Sequence, residues 1–481
     1  MFERETEAAA ARAQAQVDGG IVQGVVDDQV LAFKGIPFAA PPVGPLRWRP
    51  PQPVSGWSGI RRAEGYGPDS MQVPFPDDAA PLRVTPREDC LYVNVWRPAR
   101  LSAHELPVMV WIYGGGFVNG GSSPAVYDGA PFARDGVVLV SFNYRLGNFG
   151  FFAHPALTAE QPGRLLGNYA FMDQIAALAW VRRNIAAFGG DPANVTIFGE
   201  SAGGMSVHVL LTTALASGLF QKAIIESGGG RPGARALRSL AHGPASAESI
   251  GLALARRFGI PGQGPEALAR LRAIPADELV SGLNMATASR VATYVGGPIL
   301  DGQLCLGAPT DLYEAGAGAR VPVMIGANSL DLGGDERMVE PARAIARSLS
   351  ARGQAVYAFR FSYVAESLRT TLRGAPHASE IPFVFDTVAA RYGSDLTSAD
   401  ATAARTMHRY WAAFASRGKP DVAGEPAWPG YETHTDLIMD FTNHGPVCGP
   451  DPWKARLDLV QHASERRERT ARLRHQAASR R

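Results

Sequence analysis

Cysteine is scarce in this sequence, with only Cys90, Cys305 and Cys448 present. Three thiols build at most one disulfide, and their spacing fits no metal-ligand pattern, so neither a disulfide framework nor a thiolate metal site organises the fold. No uninterrupted apolar run of about 18 residues occurs, which excludes a transmembrane helix. Charge bias is also missing: 47 Lys and Arg against 45 Asp and Glu leave a net +2 over 481 residues. So even a balance does not point to nucleic acid as a partner. Residues 1–16 lack the apolar stretch of an export signal, and Glu3, Arg4, Glu5 and Glu7 give the wrong charge order for one. The expectation is a polar, Ala-rich N-terminal tail on a cytoplasmic protein, unless a leader was removed.

Glycine and proline are plentiful, at 53 and 36 residues without a collagen-like period, and 46% of positions are hydrophobic. That composition implies a large core and many turns between short elements. Strand and helix signals alternate from about residue 20 to 450 with no repeat, which predicts an α/β fold around a central sheet. Residues 20–25 and 30–37 read as a hairpin, and the proline-rich stretch 41–53 as surface. Short Val- and Ile-rich runs at 91–96, 108–113, 137–142, 195–198 and 321–325 read as buried strands. Helical spacing of apolar residues over 168–188, ended by Gly189-Gly190-Asp191-Pro192, predicts a crossover helix. From 454 to 481, nine Lys or Arg face three acids. This basic tail reads as an appended, solvated helix after a main domain spanning 17–453.

The chemistry centres on Val195-Thr196-Ile197-Phe198-Gly199-Glu200-Ser201-Ala202-Gly203-Gly204, a strand-type run entering Gly-x-Ser-x-Gly and continuing into a segment able to be helical. This is the form of a nucleophile elbow, where a tight turn exposes the serine hydroxyl and leaves no room for side chains at Gly199 and Gly203. Upstream, a strand-type run ends in Tyr113-Gly114-Gly115-Gly116-Phe117. Acyl transfer needs backbone N–H donors where charge develops on the carbonyl oxygen, so Gly115 and Gly116, with Ala202, are the candidate oxyanion-hole donors. A phosphate loop is the competing reading, but no Walker lysine follows and no G-x-G-x-x-G opens a helix. A serine nucleophile needs a base, and the order Ser, acid, His leaves His208, His242, His377, His408, His434, His444, His462 and His475. Sequence logic alone picks none of them.

Taken together, these residues resemble the type-B carboxylesterase family, which includes the cholinesterases and the bacterial para-nitrobenzyl esterases. The likeness spans about residues 17–453. It includes Phe33-Lys34-Gly35-Ile36-Pro37-Phe38-Ala39, Glu88-Asp89-Cys90-Leu91-Tyr92-Val93-Asn94-Val95, Asn143-Tyr144-Arg145 and Phe188-Gly189-Gly190-Asp191-Pro192, besides the glycine loop and the elbow. The resemblance implies an α/β-hydrolase fold and a serine hydrolase that cleaves small-molecule carboxylic esters through an acyl-enzyme, with no metal or organic cofactor. Gly374-Ala375-Pro376-His377-Ala378-Ser379-Glu380 resembles the family's histidine motif and makes His377 the base. The acid falls on Asp331, where the family usually carries glutamate, with Asp335, Glu336 or Glu340 in reserve. Glu200 takes the place of a supporting carboxylate beside the nucleophile, and Glu380 supports the same loop.

Three departures from the family bear on substrate. Ser70 stands where the usual partner of Cys90 is expected, so no disulfide staples the loop 70–90. That loop has no tryptophan, which disfavours choline esters as substrates. Only 46 positions separate Asp331 from His377, which implies trimmed walls and a more open site that accepts bulky esters. Hydrolysis of carbamates, amides or lactones by the same triad is the alternative activity, and a non-catalytic binding protein the alternative class.

Overall fold

A computed structural model of the protein describes residues 13–76, 78–100, 102–163, 165–231, 234–238 and 245–479, with side chains up to residue 467. Its frame is a sheet of eleven strands: β1 (Val25–Asp27), β2 (Val30–Pro37), β3 (Tyr92–Pro98), β4 (Leu106–Ile112), β5 (Val138–Phe142), β6 (Gly190–Glu200), β7 (Lys222–Glu226), β8 (Val323–Asn328), β9 (Val356–Phe361), β10 (Leu437–Thr442) and β11 (Gly445–Pro450). The spatial order is β11-β10-β9-β8-β7-β6-β4-β5-β3-β2-β1. The run from β5 to β10 is parallel, and the strands at either end pair antiparallel. Parallel strands are covered on both faces, which is why β4, β5 and β6 read as near-continuous apolar runs. Val108 to Ile112 and Val195, Ile197 and Phe198 are fully buried.

The crossover helix α1 (Tyr169–Asn184) continues as a 3-10 turn (Ile185–Phe188) and stops at Gly189, which is left-handed at φ 78°. It buries Asp173, whose two oxygens take Arg145 Nε and Nη2 at 2.8 Å each. The Asn143-Tyr144-Arg145 segment therefore braces the core. Glu88 serves likewise, gripping Arg47 through both oxygens while Arg47 Nη1 donates to the Ile274 carbonyl. Both carboxylate–guanidinium pairs are bidentate, the geometry that fixes orientation best.

Four expectations need correction. The hairpin is formed by β1 and β2 alone, because Gly20–Gln23 pairs instead with Gln14–Val17 and Ile60–Arg62 in a separate three-stranded sheet. Residues 1–12 of the proposed N-terminal tail lie outside the described residues, but Gln14–Val17 is a paired strand with Ala15 and Val17 buried. The stretch 41–53 is not all surface: Trp48 is 0% exposed, stacked on Phe152 with its indole N–H donated to the Asn148 carbonyl. Finally, the C-terminal helix α5 (Lys454–Ser479) is docked at its start, where Leu457 is fully buried against Ala327, Met338 and Val339. Among the described residues no helix is long and apolar enough to cross a membrane.

Candidate active site

Strand β6 ends at Glu200, and helix α2 (Ala202–Thr212) starts two residues later, so Ser201 alone makes the turn. Its backbone sits at φ 56°, ψ −119°, a strained region for a residue with a side chain. The surroundings enforce the bend. A Cβ at Gly203 would lie 1.9 Å from the Ile112 carbonyl oxygen, and one at Gly199 would lie 2.6 Å from the same atom. The Ser201 N–H donates to the Glu226 carbonyl at 3.0 Å, tying the elbow to β7.

The glycine loop after β4 folds over this turn. A Cβ on Gly114 would meet Ser201 Cβ at 3.0 Å, and one on Gly115 would meet the Asn119 carbonyl oxygen at 2.3 Å. Gly115 and Gly116 are both left-handed, at φ +99° and +62°. Their N–H groups, and that of Ala202 at the first position of α2, donate to no acceptor among the described residues. Helix N-termini leave such donors open, and they suit a developing negative charge.

His377 reaches the elbow from the loop after β9. Its Nε2 lies 2.9 Å from Ser201 Oγ, and its Nδ1 lies 2.6 Å from Asp331 Oδ1. The acid and base loops are joined directly. Leu330 N–H donates to the Ala375 carbonyl, Ala375 N–H to Ser329 Oγ, and Asn328 Nδ2 to the Pro376 carbonyl. Asp331 accepts further bonds from the Ser227 hydroxyl, the Asn328 N–H and the Leu332 N–H at 2.7, 2.8 and 2.7 Å. Burial pushes the Asp331 carboxyl up, but its bonds to His377, Ser227 and Asn328 outweigh that and hold it below the ordinary carboxylate range. Such a line of carboxylate, imidazole and hydroxyl can move a proton off the serine as it attacks.

The reserve acids are engaged elsewhere. Asp335 pairs with Arg456, Glu336 with Arg467 and Glu340 with Arg231. Of the other histidines, His208 is buried against the Tyr313 hydroxyl, His408 against the Val384 carbonyl, and His434 and His462 pair with Glu432 and Glu465. His444 is exposed, while His242 and the side chain of His475 lie outside the described residues.

Behind the site lies a set of carboxyls the sequence reading took up only in part. Glu200 Oε1 is 3.1 Å from His377 Nε2. Burial, followed by the charges of Asp331 and Glu226, pushes the Glu200 carboxyl well above the carboxylate range. Glu226, fully buried, is raised to about 7 by burial, only partly offset by a bond from Trp411 Nε1. Burial and the neighbouring Glu200 and Glu226 raise Glu380 as well, and it accepts a bond from Asn328 Nδ2. Three buried glutamates are thus held toward the neutral form.

The cleft over Ser201 and His377 has a volume of about 280 Å³. Its walls include Phe75, Met285, Arg391 and Tyr392, none of which the sequence reading singled out. Phe75 and Met285 come from loops and Arg391 and Tyr392 from the end of a short helix (Val388–Tyr392), so they share no local pattern that could have revealed them. Phe75 gives the loop 70–90 an aromatic face at the site despite its lack of tryptophan. No residue between Asp331 and Leu368 lines the cleft. Cys90 and the other two cysteines are free, and Ser70 donates to the Tyr144 carbonyl. Among the described residues no group of three or more His, Cys, Asp or Glu is placed to hold a metal ion.

Comparison with known proteins bears on the family and the fold. The model of the carboxylesterase family matches residues 8–339 and 329–451. A fumonisin B1 esterase of Sphingopyxis macrogoltabida is 34% identical over 91% of this chain and 88% of its own. A para-nitrobenzyl esterase of Bacillus subtilis is 35% identical over 88% of this chain and 93% of its own. A solved PNB esterase structure superposes with a TM-score of 0.80 at 31% identity, covering 93% of this chain and 99% of that one.

Proposed function

The chain belongs to the carboxylesterase family and is a carboxylic ester hydrolase of the serine type, and from that premise we propose that Ser201, His377 and Asp331 are its catalytic triad. The observation that carries this reading is the line of two hydrogen bonds, 2.6 and 2.9 Å, joining a carboxylate, an imidazole and a hydroxyl on a strained turn. Ser201 Oγ attacks the ester carbonyl while His377 Nε2 takes its proton. Asp331 steadies the imidazolium, and the N–H groups of Gly115, Gly116 and Ala202 receive the oxyanion. His377 then returns the proton to the departing alcohol. Water, activated by the same imidazole, releases the acid from the acyl-enzyme.

Glu200, whose Oε1 lies 3.1 Å from His377 Nε2 and whose carboxyl is pushed well above the carboxylate range by burial and by the charges of Asp331 and Glu226, supports the imidazole. Substrates are small-molecule esters; a wall free of residues 332–367 supports acceptance of bulky ones. The relatives compared are esterases by name, so carbamate, amide or lactone hydrolysis and a non-catalytic binding role draw no support from them. The test is labelling with a fluorophosphonate followed by peptide mapping. Modification of Ser201, abolished in Ser201→Ala together with hydrolysis of p-nitrophenyl esters, is the expected result. Full turnover in Ser201→Ala would reject the assignment.

A further inference from the structure

The carboxylate of Asp331 is held at Oδ2 by the Ser227 hydroxyl and the Asn328 N–H, both from the side of β7 and β8, while Oδ1 faces His377. Toward β8, Asn328, Ser329 and Leu330 are bonded to the base loop at Ala375 and Pro376. On the other side, Asp331 Oδ1 depends on the Leu332 N–H, and Leu332 is 49% exposed. Gly333 and Gly334 follow, both left-handed at φ +73° and +66°. Two such glycines leave that half of the loop free to move unless something fixes what comes next.

What comes next is one π-helical turn, Asp335–Val339, leading into helix α3 (Glu340–Ser350). The turn packs on β8, on α3 and on the C-terminal helix α5. Leu457 of α5 fills the space among Ala327, Met338 and Val339. Arg456 places its guanidinium on both oxygens of Asp335. Asp458 pairs with Arg343 of α3 at 2.8 Å, anchoring the helix to the element that follows the turn.

We propose that α5 is a positioning element for catalysis: through Arg456 and Leu457 it fixes the turn beyond Gly333-Gly334, and thereby the Leu332 N–H that orients Asp331 toward His377. This rests on the reading of Asp331 as the acid. Loosening the turn weakens the carboxylate's hold on the imidazolium. Turnover falls, and the imidazole binds its proton less tightly, so the acid limb of kcat/KM moves to lower pH. A helix that only adds stability would change the melting temperature and neither of these.

The experiment compares full-length Leu457→Ala, Arg456→Glu, and the exchanged pair Arg456→Glu with Asp335→Arg, using p-nitrophenyl butyrate and counting active sites by fluorophosphonate titration. Arg456 is 59% exposed, so its variant tests the idea even if Leu457→Ala fails to fold. Expected are a loss of kcat of about tenfold per titrated serine, with KM little changed, and an acid limb lower by about half a pH unit. The exchanged pair recovers most of both. Unchanged kcat per titrated site and an unmoved acid limb in Arg456→Glu overturn the proposal, whatever happens to the melting temperature. Asp331→Asn, run alongside, separates the two readings. If it keeps wild-type turnover the acid is misassigned; if it loses turnover while the α5 variants do not, only the role of α5 is lost.

Discussion

One methyl group separates two neighbouring glycines in what they tolerate. At Gly115 a Cβ would lie 2.3 Å from a backbone carbonyl oxygen, whereas at Gly116 the nearest atom, Met285 Cγ, is 3.8 Å away. Backbone cannot yield as a side-chain tip can, so Gly115→Ala is expected to cost both folded protein and activity. Gly116→Ala bears only the left-handed strain, about 1–2 kcal/mol, and folds. If its N–H is an oxyanion donor and the added methyl displaces it, kcat per titrated serine falls by about 10²–10³. Thermal melts beside active-site-normalised rates check the pair. Asp331→Asn is expected to lower kcat by about 10⁴, the scale known for a triad acid elsewhere, while Glu336→Gln, which loses only a solvent-exposed pair between the turn and Arg467 of α5, changes it by no more than a few fold. The reverse outcome moves the acid to Glu336.

Strand β7 and helix α4 (Ser398–Arg417) meet through Trp411 Nε1 and Glu226, 2.8 Å apart, directly behind the elbow. Glu226 titrates at about 7 when folded and near 4.3 in an unfolded chain. Between those values the folded state keeps a proton that the unfolded state has lost, so stability falls as pH rises across the window. The full loss above it is roughly 4 kcal/mol. Glu226→Gln keeps an acceptor for Trp411 and cannot ionise. Its melting temperature is expected to match wild type near pH 4 and exceed it at pH 8; equal melting at both would reject the argument. These two elements also show what a sequence discloses. Strands β3 to β6 and β8, helix α1 and the strand–turn–helix around Ser201 were legible because each is written in contiguous periodicity or in glycines that a tight bend requires, whereas β7 was not singled out. The buried Trp48, in a proline-rich stretch, was not, because its partners are distant in sequence. Asp331 was singled out as the proposed acid only through family likeness. Four carboxylates lie within ten residues of one another, and which faces the imidazole depends on how the loop after β8 pairs with the loop at Ala375 and Pro376.

Parallel topology brings the whole site to one edge of the sheet. The loops after β4, β6, β8 and β9 carry the proposed oxyanion donors, nucleophile, acid and base in turn, at the carboxyl ends of strands where α/β sheets place their ligands. Further walls include the loops near residues 75–80 and 285 and the short helix ending at Tyr392, while residues 332–367 contribute none. That segment is spent on the π-helical turn, α3 and β9, all turned away from the cleft. A site walled in by rigid elements on every side rejects bulk through clashes that no rearrangement relieves. A side left uncovered lets a large group project outward and forfeit only its contacts. Going from phenyl butyrate to 2-naphthyl butyrate, whose leaving groups are of similar acidity and differ in size, should therefore lower kcat/KM by no more than about tenfold, the scale of one or two lost apolar contacts. A fall of more than about a thousandfold, with the small ester still turned over, would mean that another part of the chain closes the site from that side.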